Sequence, residues 1–127
     1  MSLVNSTYPF QGKEYALTPG QDLVINLKAE GVPDQAFQVI VYAKIATGHN
    51  SGSDEDGELT VSTTIPNGEI KRKVYCRFYR QDAWSYNSEN IPLPVAFGSD
   101  GVVRVSLQGP SGAQKFKASA QIVGYSK

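Results

Sequence analysis

Hydrophobic and polar residues alternate with a period of two along most of this chain, which is typical of β-strands with one buried face. The alternation predicts strands over residues 14–17, 23–29, 37–45, 59–65, 70–80, 95–97, 102–107 and 116–122. No segment carries a convincing apolar helical stripe with capping residues at its ends. The sequence therefore predicts an all-β fold, an antiparallel β-sandwich or jelly roll of about eight strands.

Turns rich in glycine and proline separate the predicted strands. The strongest turn signal is Pro66-Asn67-Gly68, because proline presets φ and Asn-Gly accepts positive φ in a tight hairpin. The third predicted strand carries apolar side chains on both faces, since Ile40 and Tyr42 stand opposite its main apolar face. We therefore expect that strand to be central and covered on both sides.

The composition fits one folded domain, which we assign to residues 1–127 with an irregular N-terminal arm at 1–12. Twelve basic and twelve acidic residues give a net charge of zero, so no overall field draws the chain toward nucleic acid or an anionic membrane. The lone Cys76 excludes an internal disulfide. There is no signal-peptide pattern and no apolar run of about 18 residues, so we expect a protein assembled inside a cell, with no membrane segment.

Charge is unevenly distributed along the chain. Residues 71–80 hold five of the twelve basic residues, and residues 54–58 hold four of the twelve acidic ones. Side chains alternate across a strand, so the basic strand has a core face and an outward face. The outward face consists of Lys71, Lys73, Tyr75, Arg77 and Tyr79. Cations interleaved with aromatic rings can bind single-stranded nucleic acid, but the zero net charge and the acidic neighbour favour a protein partner.

Patterns for catalysis and metal binding are weak in this sequence. The only histidine, His49, lies in a Gly/Ser-rich segment and Cys76 lies on a core face, so no nucleophile with an adjacent base is indicated. We therefore predict that the protein is not an enzyme and needs no cofactor. Asp54, Asp56 and Glu58 recur at every second position and could bind a hard cation such as calcium. A solvated acidic loop is the favoured interpretation, and we assign no metal.

Aromatic residues outside the predicted strands form a second group of candidate contacts. The segment 81–94, interpreted as a long loop, carries Trp84 and Tyr86, whose faces could dock a sugar or anchor a protein interface. Tyr8 and Phe10 lie in the apolar arm, which needs a surface to lie against, on its own domain or on a neighbour. We predict that these four aromatic residues and the outward face of the basic strand bind the partner.

In size, all-β pattern, apolar arm and lack of catalytic patterns, the chain resembles the small β-sandwich decoration or cement proteins of tailed-phage capsids. The resemblance implies a non-enzymatic virion protein, assembled in the host cytoplasm, that clamps capsid subunits through protein–protein contacts, often as a homo-oligomer. The basic strand and the acidic loop would then be complementary contacts that set register and partner choice. The alternative from the residues is a carbohydrate- or receptor-binding module, followed by a binder of single-stranded nucleic acid.

Overall fold

The period-two alternation corresponds to strands in most of the predicted places. The computed structural model describes residues 6–7, 10, 12–47, 55–78, 85–98, 101–109 and 116–127. Within these ranges the chain forms nine β-strands and no helix. The strands are β1 (Ser6–Thr7), β2 (Tyr15–Leu17), β3 (Asp22–Asn26), β4 (Gln38–Thr47), β5 (Glu55–Ile65), β6 (Gly68–Phe78), β7 (Ser85–Pro94), β8 (Val102–Gln108) and β9 (Phe116–Ser126). The predicted all-β fold is confirmed.

The strands form two antiparallel sheets that make a β-sandwich. Sheet A has the order β1-β9-β4-β7, with β2 also paired to β9, and sheet B has the order β3-β8-β5-β6. Four pairings are nested around one turn, namely β5 with β6, β4 with β7, β3 with β8 and β2 with β9. The chain thus runs out along β2 to β5, reverses, and returns beside itself to β9. β4 is central in its sheet, as predicted.

The reversal occurs at the predicted Pro66-Asn67-Gly68 turn. Ile65 pairs directly with Gly68, so only two residues connect β5 to β6. The φ angle of Gly68 is +137°, a conformation that glycine adopts without the steric penalty of a Cβ atom. The turn fixes the register of β5 against β6 along the full 11 residues of each strand.

The core lies between the two sheets and is formed by inward-facing side chains of both. The largest fully buried side chains are Ile25, Leu27, Ile45, Leu59, Leu93, Leu107, Ile122, Val39, Val41, Val61 and Val74. Cys76 is also buried, on the core face predicted for its strand. The Thr63 hydroxyl donates a hydrogen bond to the Pro94 carbonyl at 2.6 Å, which connects sheet B to sheet A. Burial of this apolar surface is the main free-energy gain of such a fold.

The prediction of a loop over 81–94 is wrong for its described part, because Ser85–Pro94 form β7. β7 is an edge strand of sheet A and pairs with β4 along its whole length. Residues 86–90 are exposed on both faces, so apolar and polar positions do not alternate there. Prolines at 92 and 94 are tolerated because an edge strand leaves one side of its backbone unpaired.

Two other predicted strands differ from the structure. The strand predicted over 23–29 ends at Asn26, whose side chain accepts a hydrogen bond from the Ala29 N–H at 3.1 Å and begins a turn. Asparagine commonly diverts the backbone in this way, because its side chain competes with the ladder for the N–H groups that follow. Over 95–97 only Ala96 makes an isolated bridge, and no strand forms.

The described residues of the N-terminal arm, 6–7, 10 and 12, lie along β9 of the same domain. Within the arm predicted to be irregular, β1 pairs with the end of β9. The Phe10 N–H donates to the Val123 carbonyl at 2.7 Å, and the Gly12 N–H donates to the Ile122 carbonyl at 3.2 Å. The Phe10 ring contacts Tyr125 edge to face, with the ring centroids 5.5 Å apart. The domain therefore supplies a surface against which the arm lies.

Gly12 approaches β9 too closely to carry a side chain, since a Cβ atom there would lie 2.5 Å from the Ile122 carbonyl oxygen. We predict that Gly12→Ala lowers the free energy of unfolding by about 1–3 kcal/mol, because the backbone must move and the arm loses hydrogen bonds. Urea denaturation measures the change. Gly98→Ala is the matched control, since a Cβ atom there meets nothing within 4 Å. Equal stabilities of the two variants would contradict the close contact of the arm.

Glu30 connects the segment around β2 to the turn after β3. One of its carboxylate oxygens accepts the Lys13 N–H at 3.0 Å, and the other accepts the Tyr15 hydroxyl at 2.8 Å. The hydrogen bond to Glu30 raises the pKa of Tyr15 above its ordinary value, and desolvation and the charge of the carboxylate act in the same direction. The neutral hydroxyl is thus the form that the folded protein stabilises.

The raised pKa makes this contact depend on pH. Its contribution to stability is complete below the ordinary tyrosine pKa of about 10 and is lost as the pH rises through the higher pKa of the folded state. We predict a favourable coupling free energy between Tyr15 and Glu30 at about pH 7.5 that declines as the pH rises from about 10 through the higher pKa of Tyr15 in the folded state. The coupling is measured with a double-mutant cycle of Tyr15→Phe and Glu30→Gln, by urea denaturation at each pH. The cycle separates the coupling free energy of the two residues from the titration of lysines in the same pH range. A coupling that stays constant across that interval would refute the assignment.

Candidate functional site

The β5–β6 hairpin presents the predicted basic face to solvent. The side chains on one side of β6 are exposed, whereas Val74 and Cys76 on the other side are buried. With the acidic residues beside it on β5, this surface forms what we call the hairpin face. The hairpin face consists of Asp56, Glu58, Lys71, Lys73, Tyr75 and Arg77. Tyr79, predicted to continue it, lies outside the described residues.

Three of the four acidic residues predicted to form a loop, Glu55, Asp56 and Glu58, belong instead to strand β5, which begins at Glu55. The hairpin register places Asp56 opposite Arg77 and Glu58 opposite Tyr75. Asp54, the third member of the weak cation candidate, lies outside the described residues. The sequence shows a period of two in this segment but does not show which strand pairs with it. Pairing with β6 makes the acidic segment part of a strand.

Ion pairs form across and along this hairpin. They join Arg77 Nη1 to Asp56 Oδ1 at 3.2 Å, Lys73 Nζ to Glu58 Oε2 at 3.6 Å, and Lys71 Nζ to Glu69 Oε1 at 3.3 Å. The basic strand and the acidic segment, predicted to be complementary contacts toward a partner, thus also pair with each other within one hairpin. Exposed pairs of this kind contribute about 0–1 kcal/mol each, so their members can change partners at little cost.

The same ion pairs make the hairpin face less suited to binding nucleic acid. A sheet that binds single strands combines stacking rings with cations directed at phosphates. Here Lys71, Lys73 and Arg77 each lie beside a carboxylate, which would repel a phosphate brought to the same place. The hairpin face is accordingly better suited to a partner that carries both signs of charge.

Tyr75 lies at the centre of the hairpin face. Its side chain is 49% exposed and stands between the ion pairs of Lys73 and Arg77. Its backbone is held from the open edge of β6, because Asn87 Nδ2 of β7 donates to the Tyr75 carbonyl at 2.8 Å. An exposed aromatic side chain on a rigid backbone, surrounded by charged groups, has the arrangement of an interface hot spot with its polar rim.

The other predicted aromatic anchors do not join Tyr75. Tyr86 is 73% exposed, but it pairs with Ala46 of sheet A and faces outward on the opposite side of the sandwich. Phe10 packs against its own core and Tyr125. Trp84 and Tyr8 lie outside the described residues. The structure therefore brings together the predicted residues of β6 and separates them from the predicted residues Tyr86 and Phe10.

A groove on the outward face of sheet B was missed by the sequence reasoning. It has a volume of about 350 Å³, with Lys71 and Arg104 on either side and a floor of hydroxyl side chains. The floor residues are Thr60, Ser62 and Ser106. Ser62 is only 6% exposed, yet its hydroxyl takes part in none of the hydrogen bonds among the described residues. Small hydroxyl residues at outward strand positions were the available signal.

A metal centre is not found in the part of the chain that the structure describes. Those residues contain no group of three or more His, Cys, Asp or Glu side chains that could hold a metal ion. His49 lies outside them, and Cys76 is a buried thiol. No helix among them has the length and apolar character needed to cross a membrane.

The chain matches no model of a protein family and no curated protein sequence. Its function therefore has to be argued from its own surfaces.

Proposed function

We propose that this chain is a non-enzymatic structural protein of a larger assembly, a virion component that decorates or cements a phage capsid through protein–protein contacts. The observation that carries the proposal is Tyr75, half-exposed at the centre of a rigid hairpin and framed by exchangeable ion pairs. A partner that covers the ring removes apolar surface from water, while rim charges of both signs select its orientation.

The strand order supports the finer assignment of the sandwich as a jelly roll. In such a fold a long double-stranded hairpin is rolled up, so that its successive pairs alternate between two sheets. Here the nested pairs fall alternately in sheet B, sheet A, sheet B and sheet A, counted outward from the turn. Capsid and lectin domains both use jelly rolls, so the topology fits the proposal as an analogy of fold.

A test of the proposal uses the particles of the organism that encodes the chain. We predict that the tagged chain sediments with large particles in a density gradient, and that Tyr75→Ala lowers its occupancy there at least tenfold through loss of a hot-spot contact. Phe37→Ala is the matched control, since it removes an aromatic ring of similar exposure (47%) that is not among the predicted contact residues, and occupancy should stay unchanged. Wild-type protein that is absent from every particle fraction would refute the proposed function.

A carbohydrate- or receptor-binding module is the second candidate, and the groove over Ser62 favours it. The hydroxyl floor and the flanking Lys71 and Arg104 could exchange hydrogen bonds with sugar hydroxyls. This candidate predicts a signal on a glycan array that Ser62→Ala reduces about tenfold or more, by removal of a buried hydrogen-bonding group. Thr64→Val, outside the groove on the same strand, is the control. An array without signal for the wild-type chain would exclude this candidate.

A further inference from the structure

We propose that the outward face of sheet B is self-complementary and binds the same face of a second copy of this chain, about a two-fold axis parallel to the strands. The proposal deepens the proposed function, on which it rests, by naming the surface and the partner of a homo-oligomeric contact.

The sign of the outward charges alternates from strand to strand. In the order β3-β8-β5-β6, β3 carries Asp22, β8 carries Arg104, β5 carries the two acids of the hairpin face and β6 carries its three cations. Glu69, at the turn end of β6, is the exception. The net charge of the face is thus zero, but the sign alternates from one strand to the next. The electrostatic energy of a contact therefore depends on how the partner is aligned.

Only one of the two in-plane symmetry axes brings opposite signs together. An axis parallel to the strands, between β8 and β5, places β3 over the second copy's β6 and β8 over its β5. Strands that carry acids then lie over strands that carry cations, although Arg104 of β8 and the acids of β5 fall in different rows. An axis across the strands would place each strand over its own copy and oppose like charges, which disfavours binding. The charge pattern therefore selects the first arrangement. That axis also maps a twisted sheet surface onto itself, so the two faces stay parallel.

The register of sheet B predicts which residues meet. Asp22, Ser106, Thr60 and Lys73 form one row across the four strands. Rotation about the proposed axis keeps each row at its height, so Asp22 of one copy faces Lys73 of the other. Because the axis relates the copies by symmetry, this contact occurs twice in the dimer. Asp22 and Lys73 of a single chain lie about 14 Å apart, three strand spacings, and do not contact each other.

The next row explains the groove. It runs Val24, Arg104, Ser62 and Lys71. Arg104 of the second copy lies over Ser62, where its long side chain fills the groove and donates to the buried hydroxyl. Val24, exposed by 57%, lies over the aliphatic stem of Lys71. Arg104 of the second copy then lies between Arg104 and Lys71 of the first, and these like charges oppose the contact in this row. Glu69, which pairs with Lys71 one row away, offsets part of that repulsion.

The size of the face predicts a weak contact. Four strands about 4.8 Å apart and about five residues long present about 300–400 Å² per copy. The total of about 600–800 Å² lies below the ~1,200 Å² of stable complexes. We therefore expect a dimer that forms at high protein concentration and low salt, and that an assembly strengthens by holding copies close together.

The decisive experiment is a charge swap. Sedimentation equilibrium at up to about 1 mM protein should show dimers in low salt that dissociate in about 0.3 M salt. Asp22→Lys and Lys73→Asp should each weaken dimerisation about tenfold or more, and the double variant should recover to within about threefold of wild type. Asp34→Lys makes the same charge change in an exposed loop off this face and should have no effect.

The outcomes separate this proposal from the proposed function. A wild-type chain that stays monomeric at about 1 mM in low salt overturns the self-contact, whereas binding to particles through Tyr75 is measured independently. Failure of the double variant to recover, with its fold verified by circular dichroism, overturns the symmetry. Without any variant, amide chemical shifts that change with protein concentration should map to β3, β8, β5 and β6. Shifts confined to sheet A would contradict the surface.

Discussion

The two-residue turn at Pro66-Asn67 is the constraint on which the other pairings of this fold depend. It fixes the register of β5 against β6 and brings the ends of that hairpin together. Once this hairpin has formed, the loop that must close to pair β4 with β7 is effectively much shorter than the number of residues between those strands. The same holds for β3 and β8 once β4 and β7 have paired. The entropy of loop closure is thereby lost in small steps rather than all at once. The same register places the acids of β5 beside the cations of β6.

What the sequence could predict was set by where one face of a strand is buried. β4, β5, β6, β8 and β9 alternate because one side packs on the core, and their existence and approximate extent were predictable. β7 was missed because its first half is exposed on both faces and its second half contains Pro92 and Pro94. Its position at a sheet edge makes both features tolerable, and edge position is a property of the whole fold.

For the candidate site, the sequence predicted which side chains point outward but not which of them pair across the strands. The alternation of side chains along a strand assigned Tyr75 and its cationic neighbours to the outward side of β6, and the structure agrees. The alternation could not show which residues of β5 lie beside those of β6, because cross-strand register depends on the turn. In the structure Asp56 lies beside Arg77, and Glu58 lies beside Lys73. Charges that look segregated along the sequence become mixed in space. One outward surface therefore carries both signs of charge.

The edges of the sandwich are less available for association than its faces. Backbone groups of an edge strand can pair with another chain, and folded proteins block them. On one side, Asn87 occupies the Tyr75 carbonyl at the open edge of β6, and the prolines of β7 remove donors. On the other side, β3 is only five residues long and carries Asp22 and Asn26. Edge pairing is hindered on both sides. Contacts of this domain with a second copy or with a larger particle are therefore better made by side chains on a sheet face, where striped charge and Tyr75 already lie.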